Sequence, residues 1–314
     1  MPIPFSDRVN GDTTTLPKDH EERMQRALLS LDGLSVGDAF GDCFFGSSTC
    51  HQWIEQRQAP PGRWAFTDDT AMALSIVRCL KQFGRIDQDA LATAFAEEYA
   101  RDPRRGYGGM AHGILQAIGA GTSWKTAAGR AFNGEGSCGN GGAIRAAPIG
   151  AYFADDYERV VQEAKLSAEV THAHPDGQTG AIAAALAAAW MVREGERARK
   201  QGLDLIEFVL ANLPQTETYY ALKRALELPV FLSPLTAASR LGNGLGVIAS
   251  DTIPFCLWSA AGAADNYEEA IWSTASAYGD VDTNCAIVGG IVALSAGRAS
   301  IPESWLGARE GFNV

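Results

Sequence analysis

The sequence predicts an all-α protein, a compact orthogonal helical bundle, on three observations. Apolar residues recur at intervals of three and four in segment after segment, and alternating apolar and polar runs are rare. Of the 314 residues, 46% are hydrophobic and 20% charged, the composition of a chain with a large core. No repeat of fixed period emerges. No Pro/Ser-rich or highly charged linker interrupts the pattern between about Arg23 and Arg298, so residues 22–314 are expected to form a single domain behind an N-terminal extension, 1–21.

The recurring apolar residues include Ala71, Leu74 and Val77, and then Leu91, Phe95 and Tyr99. Helices follow over roughly 143–153 and 156–169, and then comes the alanine-rich stretch 180–190, whose small side chains favour helix and close helix approach; it predicts a central buried helix. Further helices are expected over roughly 204–212, 217–227, 246–262, 266–278 and 283–296, separated by short turns of Gly, Pro, Asn and Asp. The best strand candidate is Val230-Phe231-Leu232, bounded by two prolines.

Four short segments carry chemistry. Phe66-Thr67-Asp68-Asp69-Thr70 stands immediately before the run at Ala71. A helix cap explains one or two of these acids, but a hard divalent cation is what wants a hydroxyl and two adjacent carboxylates from one compact segment. Tyr278-Gly279-Asp280-Val281-Asp282-Thr283-Asn284 repeats the pattern before the apolar run Cys285–Leu294. If the two helix starts converge, their carboxylates repel severely unless cations are bound, and two Mg²⁺ or Mn²⁺ ions would relieve that repulsion.

The third segment, Gly134 to Gly142, holds five glycines in nine residues ahead of the helical Ala143-Ile144-Arg145. Its spacing matches neither a dinucleotide fingerprint nor a Walker loop; a structural turn is the plainer account, and a backbone cradle for a pyrophosphate the better one. The fourth is Thr171-His172-Ala173-His174-Pro175-Asp176. Zinc would need ligands that the other histidines do not supply at useful spacing, so the alternatives are a loop histidine bonding ribose or phosphate, or a cap by Asp176.

The net charge of -11 argues against general nucleic-acid binding. The polar start, Met1 to Lys18, and the lack of a long apolar run predict a cytoplasmic protein without membrane insertion. Six scattered cysteines without CxxC spacing are expected as reduced thiols, Cys50-His51 lacking further metal ligands nearby. A chain of this length can bury its own core, so a monomer is expected.

Gly37-Asp38-Ala39-Phe40-Gly41, Thr67-Asp68-Asp69-Thr70, Gly139-Asn140-Gly141-Gly142-Ala143-Ile144-Arg145, Thr171-His172 and Gly279-Asp280-Val281-Asp282-Thr283-Asn284, in this order, resemble the ADP-ribosylglycohydrolase family across roughly residues 23–298. The resemblance implies that family's all-α fold and a binuclear Mg²⁺ (or Mn²⁺) site held by Thr67, Asp68, Asp69, Asp280, Asp282 and Thr283. It also implies a diphosphate lined by Gly136, Ser137, Cys138 and Gly139, with Phe132 on the adenosine side and His172 near phosphate or ribose.

Asp102-Pro103-Arg104-Arg105-Gly106-Tyr107-Gly108 is similar to a loop of the branch that removes ADP-ribose from serine and degrades its polymers, and less like that of the arginine-specific bacterial branch. One departure stands out: where many members carry a flap glutamate, this chain has Phe45, with Asp42 nearby at a different spacing. Some bacterial members neutralise ADP-ribosylating toxins through an N-terminal extension, a role that Met1–Asp19 could fill.

The activity this resemblance implies is hydrolysis at the anomeric carbon of ADP-ribose, releasing it from arginine- or serine-linked protein, with Asp68, Asp69 and Asp282 as the catalytic carboxylates. The rivals are a catalytically silent ADP-ribose binder or structural protein of the same fold, and a metal-dependent phosphohydrolase whose product would be phosphate.

Overall fold

The computed structural model describes residues 16–45, 50–198 and 200–314; the expected extension 1–21 falls largely outside them. The described residues form seventeen α-helices and, apart from two isolated bridges, no β-structure. In order these are α1 (His20–Asp42), α2 (Cys50–Gln56), α3 (Asp68–Phe83), α4 (Gln88–Arg101), α5 (Gly109–Gly119), α6 (Trp124–Gly129), α7 (Gly141–Ile144), α8 (Ala147–Tyr152) and α9 (Tyr157–Glu169). They continue with α10 (Pro175–Ala198), α11 (Leu203–Ala211), α12 (Glu217–Lys223), α13 (Pro234–Leu241), α14 (Ala249–Gly262), α15 (Tyr267–Ala275), α16 (Val281–Ala296) and α17 (Glu303–Ala308). No helix among the described residues is long and apolar enough to cross a membrane.

The alanine-rich stretch is the central helix: in α10 every residue from Thr179 to Met191 is buried, and it packs against α7, α8, α9, α14 and α16. Beside it, α1 and α16 make the most extensive helix pair. Gly33, Gly37 and Gly41 of α1 line that contact, and a side-chain carbon built on Gly37 would stand 2.1 Å from the Cys285 carbonyl oxygen. Backbones this close are available only to residues without side chains. One apolar cluster runs from Met24 to Trp305, and a small satellite gathers around Ile114, Ala127 and Ala131.

Three local expectations change. Val230–Leu232 is a turn, closed by a Leu232 N–H to Pro229 carbonyl bond of 3.1 Å, and Phe231 is 85% exposed; the flanking prolines leave too short a span for a ladder. The helix expected over 143–153 is two short helices broken at Arg145–Ala146. The one expected from 246 starts at Ala249, because Gly246–Ile248 belong to a loop in which Val247 has φ 54.

Candidate metal centre and anion loop

Thr67 caps α3 with extended backbone and accepts the Asp69 N–H at 3.3 Å. It is itself held by Asp38, a fully buried acid of α1. The Asp38 carboxylate accepts from Thr67 N (3.0 Å), Thr67 Oγ1 (2.8 Å), Thr70 N (3.0 Å) and Thr70 Oγ1 (2.5 Å). The Thr67 hydroxyl proton therefore points at Asp38, which leaves an oxygen lone pair free for a cation. Motif spacing alone did not mark Asp38 as a site residue; an acid inside the otherwise buried run Gly33–Gly41 was the available signal.

Asp280 caps α16 and donates its N–H to the Asn243 carbonyl at 3.0 Å, while its Oδ2 accepts from Asn140 Nδ2 at 2.8 Å. Asp282, in the first turn, accepts the Thr283 N–H at 2.8 Å. The glycine seam delivers these acids to α3: a side-chain carbon on Gly41 would lie 2.5 Å from the Asp282 Cα. Carboxylate oxygens of Asp38, Asp69 and Asp282 all lie within 4.8 Å of one another, and Asp69 Oδ2 is buried without any hydrogen-bond partner.

So many acids in one dry place resist ionising. Burial, and then Asp282, push the Asp69 carboxyl well above its ordinary range, and burial followed by Asp280 does the same to Asp282. Asp68 is raised to about 7 by burial and by Asp38; Asp38 rises to about 6 through burial, with the two threonines opposing. Asp280 is raised too, chiefly by burial. The donor set is carboxylate and hydroxyl oxygen, and one oxygen is orphaned; both fit hard divalent cations.

The glycine loop lies alongside. Gly136 has φ +80, and a side chain there would meet His174 N at 2.5 Å, so only glycine serves. Ser137 Oγ accepts from Gly139 N at 3.2 Å, and the Cys138 carbonyl accepts from Ala249 N at 3.0 Å. Asn140 ends the loop and reaches both Asp280 and Thr252 Oγ1 (3.1 Å), joining the loop to the acidic cluster. His172 is buried, its Nε2 3.3 Å from where side chains on Gly139 and Gly141 would begin. Burial, aided by Arg145, lowers the His172 imidazole to about 3 and keeps it neutral.

Phe132 sits half exposed with φ 49 in a 3₁₀ turn just before the loop. His174 and Asp176 are spent on structure: His174 Nδ1 accepts the Asp176 N–H at 3.1 Å, and Asp176 Oδ1 accepts from Thr218 N at 2.7 Å. His51 bonds the Tyr278 hydroxyl at 2.9 Å. The Asp102–Gly108 loop walls the other side, where Asp68 N donates to the Arg105 carbonyl at 2.7 Å and a side chain on Gly106 would stand 3.2 Å from Asp68 Oδ1. Phe45 is 48% exposed beyond the end of α1, and Asp42, the last residue of that helix, has its carboxyl raised by burial.

The ADP-ribosylglycohydrolase family profile matches residues 19–313. ADP-ribosylhydrolase ARH3 of Homo sapiens is 30% identical over 332 residues, covering 91% of this chain and 91% of that protein. The ARH3 of Gallus gallus is 30% identical over 90% of this chain and 88% of its own. ADP-ribosylarginine hydrolase Tri1 of Serratia proteamaculans is 26% identical over 91% of this chain and 75% of its own. A solved chain described as an ADP-ribosylglycohydrolase-related protein complex superposes with a TM-score of 0.63 at 25% identity, covering 92% of this chain and 94% of the other. With its profile spanning nearly the whole chain and ARH3 relatives 30% identical over nine-tenths of it, the protein belongs to the ADP-ribosylglycohydrolase family.

Proposed function

We propose that the chain is a metal-dependent hydrolase that cleaves the bond between the anomeric carbon of ADP-ribose and a protein side chain, acting as one domain over 22–314. The observation that carries this is Asn140, whose amide ties the glycine loop to Asp280 and so sets a cradle for an anion beside a cluster of acids that calls for cations. Thr67, Asp68, Asp69, Asp280, Asp282 and Thr283 would hold two Mg²⁺ or Mn²⁺. When bound, the cations neutralise the carboxylates and polarise hydroxyl and water oxygens.

The chain's own residues do the rest. Gly136, Ser137, Cys138 and Gly139 bind the diphosphate, and Phe132 offers an aromatic face to the adenine. His172 donates to phosphate or ribose. Asp68, Asp69 or Asp282 takes the proton from the attacking water. An oxocarbenium-like transition state follows, as in other glycosidic cleavages.

Acceptor choice would be made at the Asp102–Gly108 wall, between serine and arginine linkages, and reversal of a toxin's modification is one setting for either. The test is release of free ADP-ribose from serine-linked and arginine-linked peptides by mass spectrometry, with Mg²⁺ and then with EDTA. Metal-dependent release from one of them supports the proposal, and phosphate as the product would refute it. Phe45, at the position where a flap carboxylate is common, favours a second reading as a silent ADP-ribose receptor, for which binding without release is the expected result.

A further inference from the structure

Arg145 and Thr171, which the proposed chemistry does not use, form a buried chain that ends on His172. Arg145 is 1% exposed and pairs with no carboxylate; its guanidinium lies 4.3 Å over the Phe95 ring, and Nη2 donates to the Ser167 carbonyl (3.1 Å) and to Thr171 Oγ1 (2.7 Å). Thr171 Oγ1 in turn lies 2.7 Å from His172 Nδ1. A guanidinium can only donate, so Thr171 must accept from it; if the hydroxyl also accepted from His172 Nδ1, its own proton would be buried without an acceptor, because Arg145 and His172 are its partners among the described residues, so the satisfied arrangement sends that proton to His172 Nδ1. A nitrogen that accepts carries no proton, which leaves the proton of the neutral ring on Nε2. That nitrogen faces the start of α7, next to Gly139 and Gly141, where the absence of side chains leaves it room.

We infer that Arg145 and Thr171 are positioning residues that lock His172 in the Nε2–H tautomer, making it an obligate hydrogen-bond donor to an anionic phosphate or a ribose oxygen at the glycine loop. The inference rests on the ADP-ribose reading only for the identity of that ligand; the tautomer itself is a property of the free protein. The break between α7 and α8 at Arg145–Ala146 gains a purpose, since it turns the arginine into the core beneath the loop. Locking matters because the other tautomer would present a lone pair to a phosphate oxygen and repel it.

The test is a long-range ¹H–¹⁵N correlation spectrum of protein labelled at its five histidines, with the His172 signals assigned by their loss in His172→Gln. The expected result is a protonated Nε2 and an unprotonated Nδ1 in the unliganded wild type. Thr171→Val should release the tautomer and weaken ADP-ribose binding about tenfold by calorimetry, the cost of one misdirected hydrogen bond, while Thr171→Ser keeps both. A protonated Nδ1 in the wild type overturns the lock whatever the variants do. Unchanged ADP-ribose affinity in a Thr171→Val protein with altered tautomer overturns the positioning role. A wild type with the expected tautomer that ignores ADP-ribose leaves the lock standing and refutes the choice of ligand and the function proposed above.

Discussion

Replacing Gly41 with alanine tests whether the helix seam sets the reactive geometry. The added carbon would stand 2.5 Å from Asp282 Cα and 2.7 Å from both Asp282 N and the Val281 carbonyl oxygen, against about 3.4 Å for the near edge of ordinary contact. Either α1 or the start of α16 must retreat by about 0.9 Å, and these obstacles are backbone atoms that cannot swing aside. Overpacking of this kind costs roughly 1–3 kcal/mol of stability. The larger effect is local, because Asp282 would shift against Asp69 by nearly the distance at which misplaced reacting groups lose on the order of 10²-fold in rate. The assay is initial-rate release of ADP-ribose at saturating Mg²⁺, with a Mg²⁺ titration and a thermal melt on the same sample. Gly113→Ala in α5 is the control, since nothing lies within 4 Å of its added carbon, and it should keep full activity. A Gly41→Ala enzyme with wild-type kcat/KM would refute the claim that the α1–α16 contact positions the acid.

Three further outcomes follow from the same contacts. Asp38→Ala strips four donors of their acceptor and should cost about 3 kcal/mol in denaturant unfolding at saturating Mg²⁺; a loss under 1 kcal/mol would deny Asp38 its anchoring role. Asn140→Ala frees Asp280 from the glycine loop and should raise the ADP-ribose Kd about tenfold while the melting temperature barely moves; equal affinity would mean the two halves of the site are independent. In EDTA, stability should fall as pH rises from about 4 to 7. Asp38 and Asp68 have folded-state pKa values raised to about 6 and about 7, so the folded form holds more protons in that window and loses their contribution as it ionises. Saturating Mg²⁺ should flatten that slope, and a metal-free melting temperature that climbs over the same window would contradict the sign.

The parts of the fold legible in the sequence were those whose signal is local. Thr67 announces its helix because a hydroxyl before an apolar run satisfies a free N–H of the first turn, Asp280 stands at the same position of its own helix without making that bond, and the alanine run 180–190 has nowhere to lie but the middle of a bundle. What was not legible depended on partners far along the chain. Pro148, in the first turn of α8, was a readable sign of the break after Ile144, but nothing nearby announces that Arg145 turns inward to reach Thr171 across 26 residues. Asp38 stands in a quoted motif but gains no role from its neighbours in sequence, because its partners, Thr67 and Thr70, come from the start of α3. Ser233 followed by Pro234 was a readable start for α13, with the serine accepting the Thr236 N–H at 3.3 Å; the competing strand pattern just ahead of it obscured the signal.

The site also bears on why the scaffold is built as it is. Asp38, Asp68, Asp69, Asp280 and Asp282 are each harder to ionise in the folded chain than in the unfolded one, so without cations this region opposes folding at neutral pH. The acids are nevertheless held together, because the elements that carry them are fixed by apolar packing elsewhere: α1 against α16 through side-chain-free backbone, and α16 against the buried face of α10. A cluster imposed in this way keeps its oxygens in place before any cation arrives, and the electrostatic cost it carries is recovered when one binds. Loosening the packing would therefore relieve the acids and weaken cation binding together, so a stability loss that is smaller in EDTA than at saturating Mg²⁺, accompanied by a weaker Mg²⁺ isotherm, is the signature expected of substitutions along the seam.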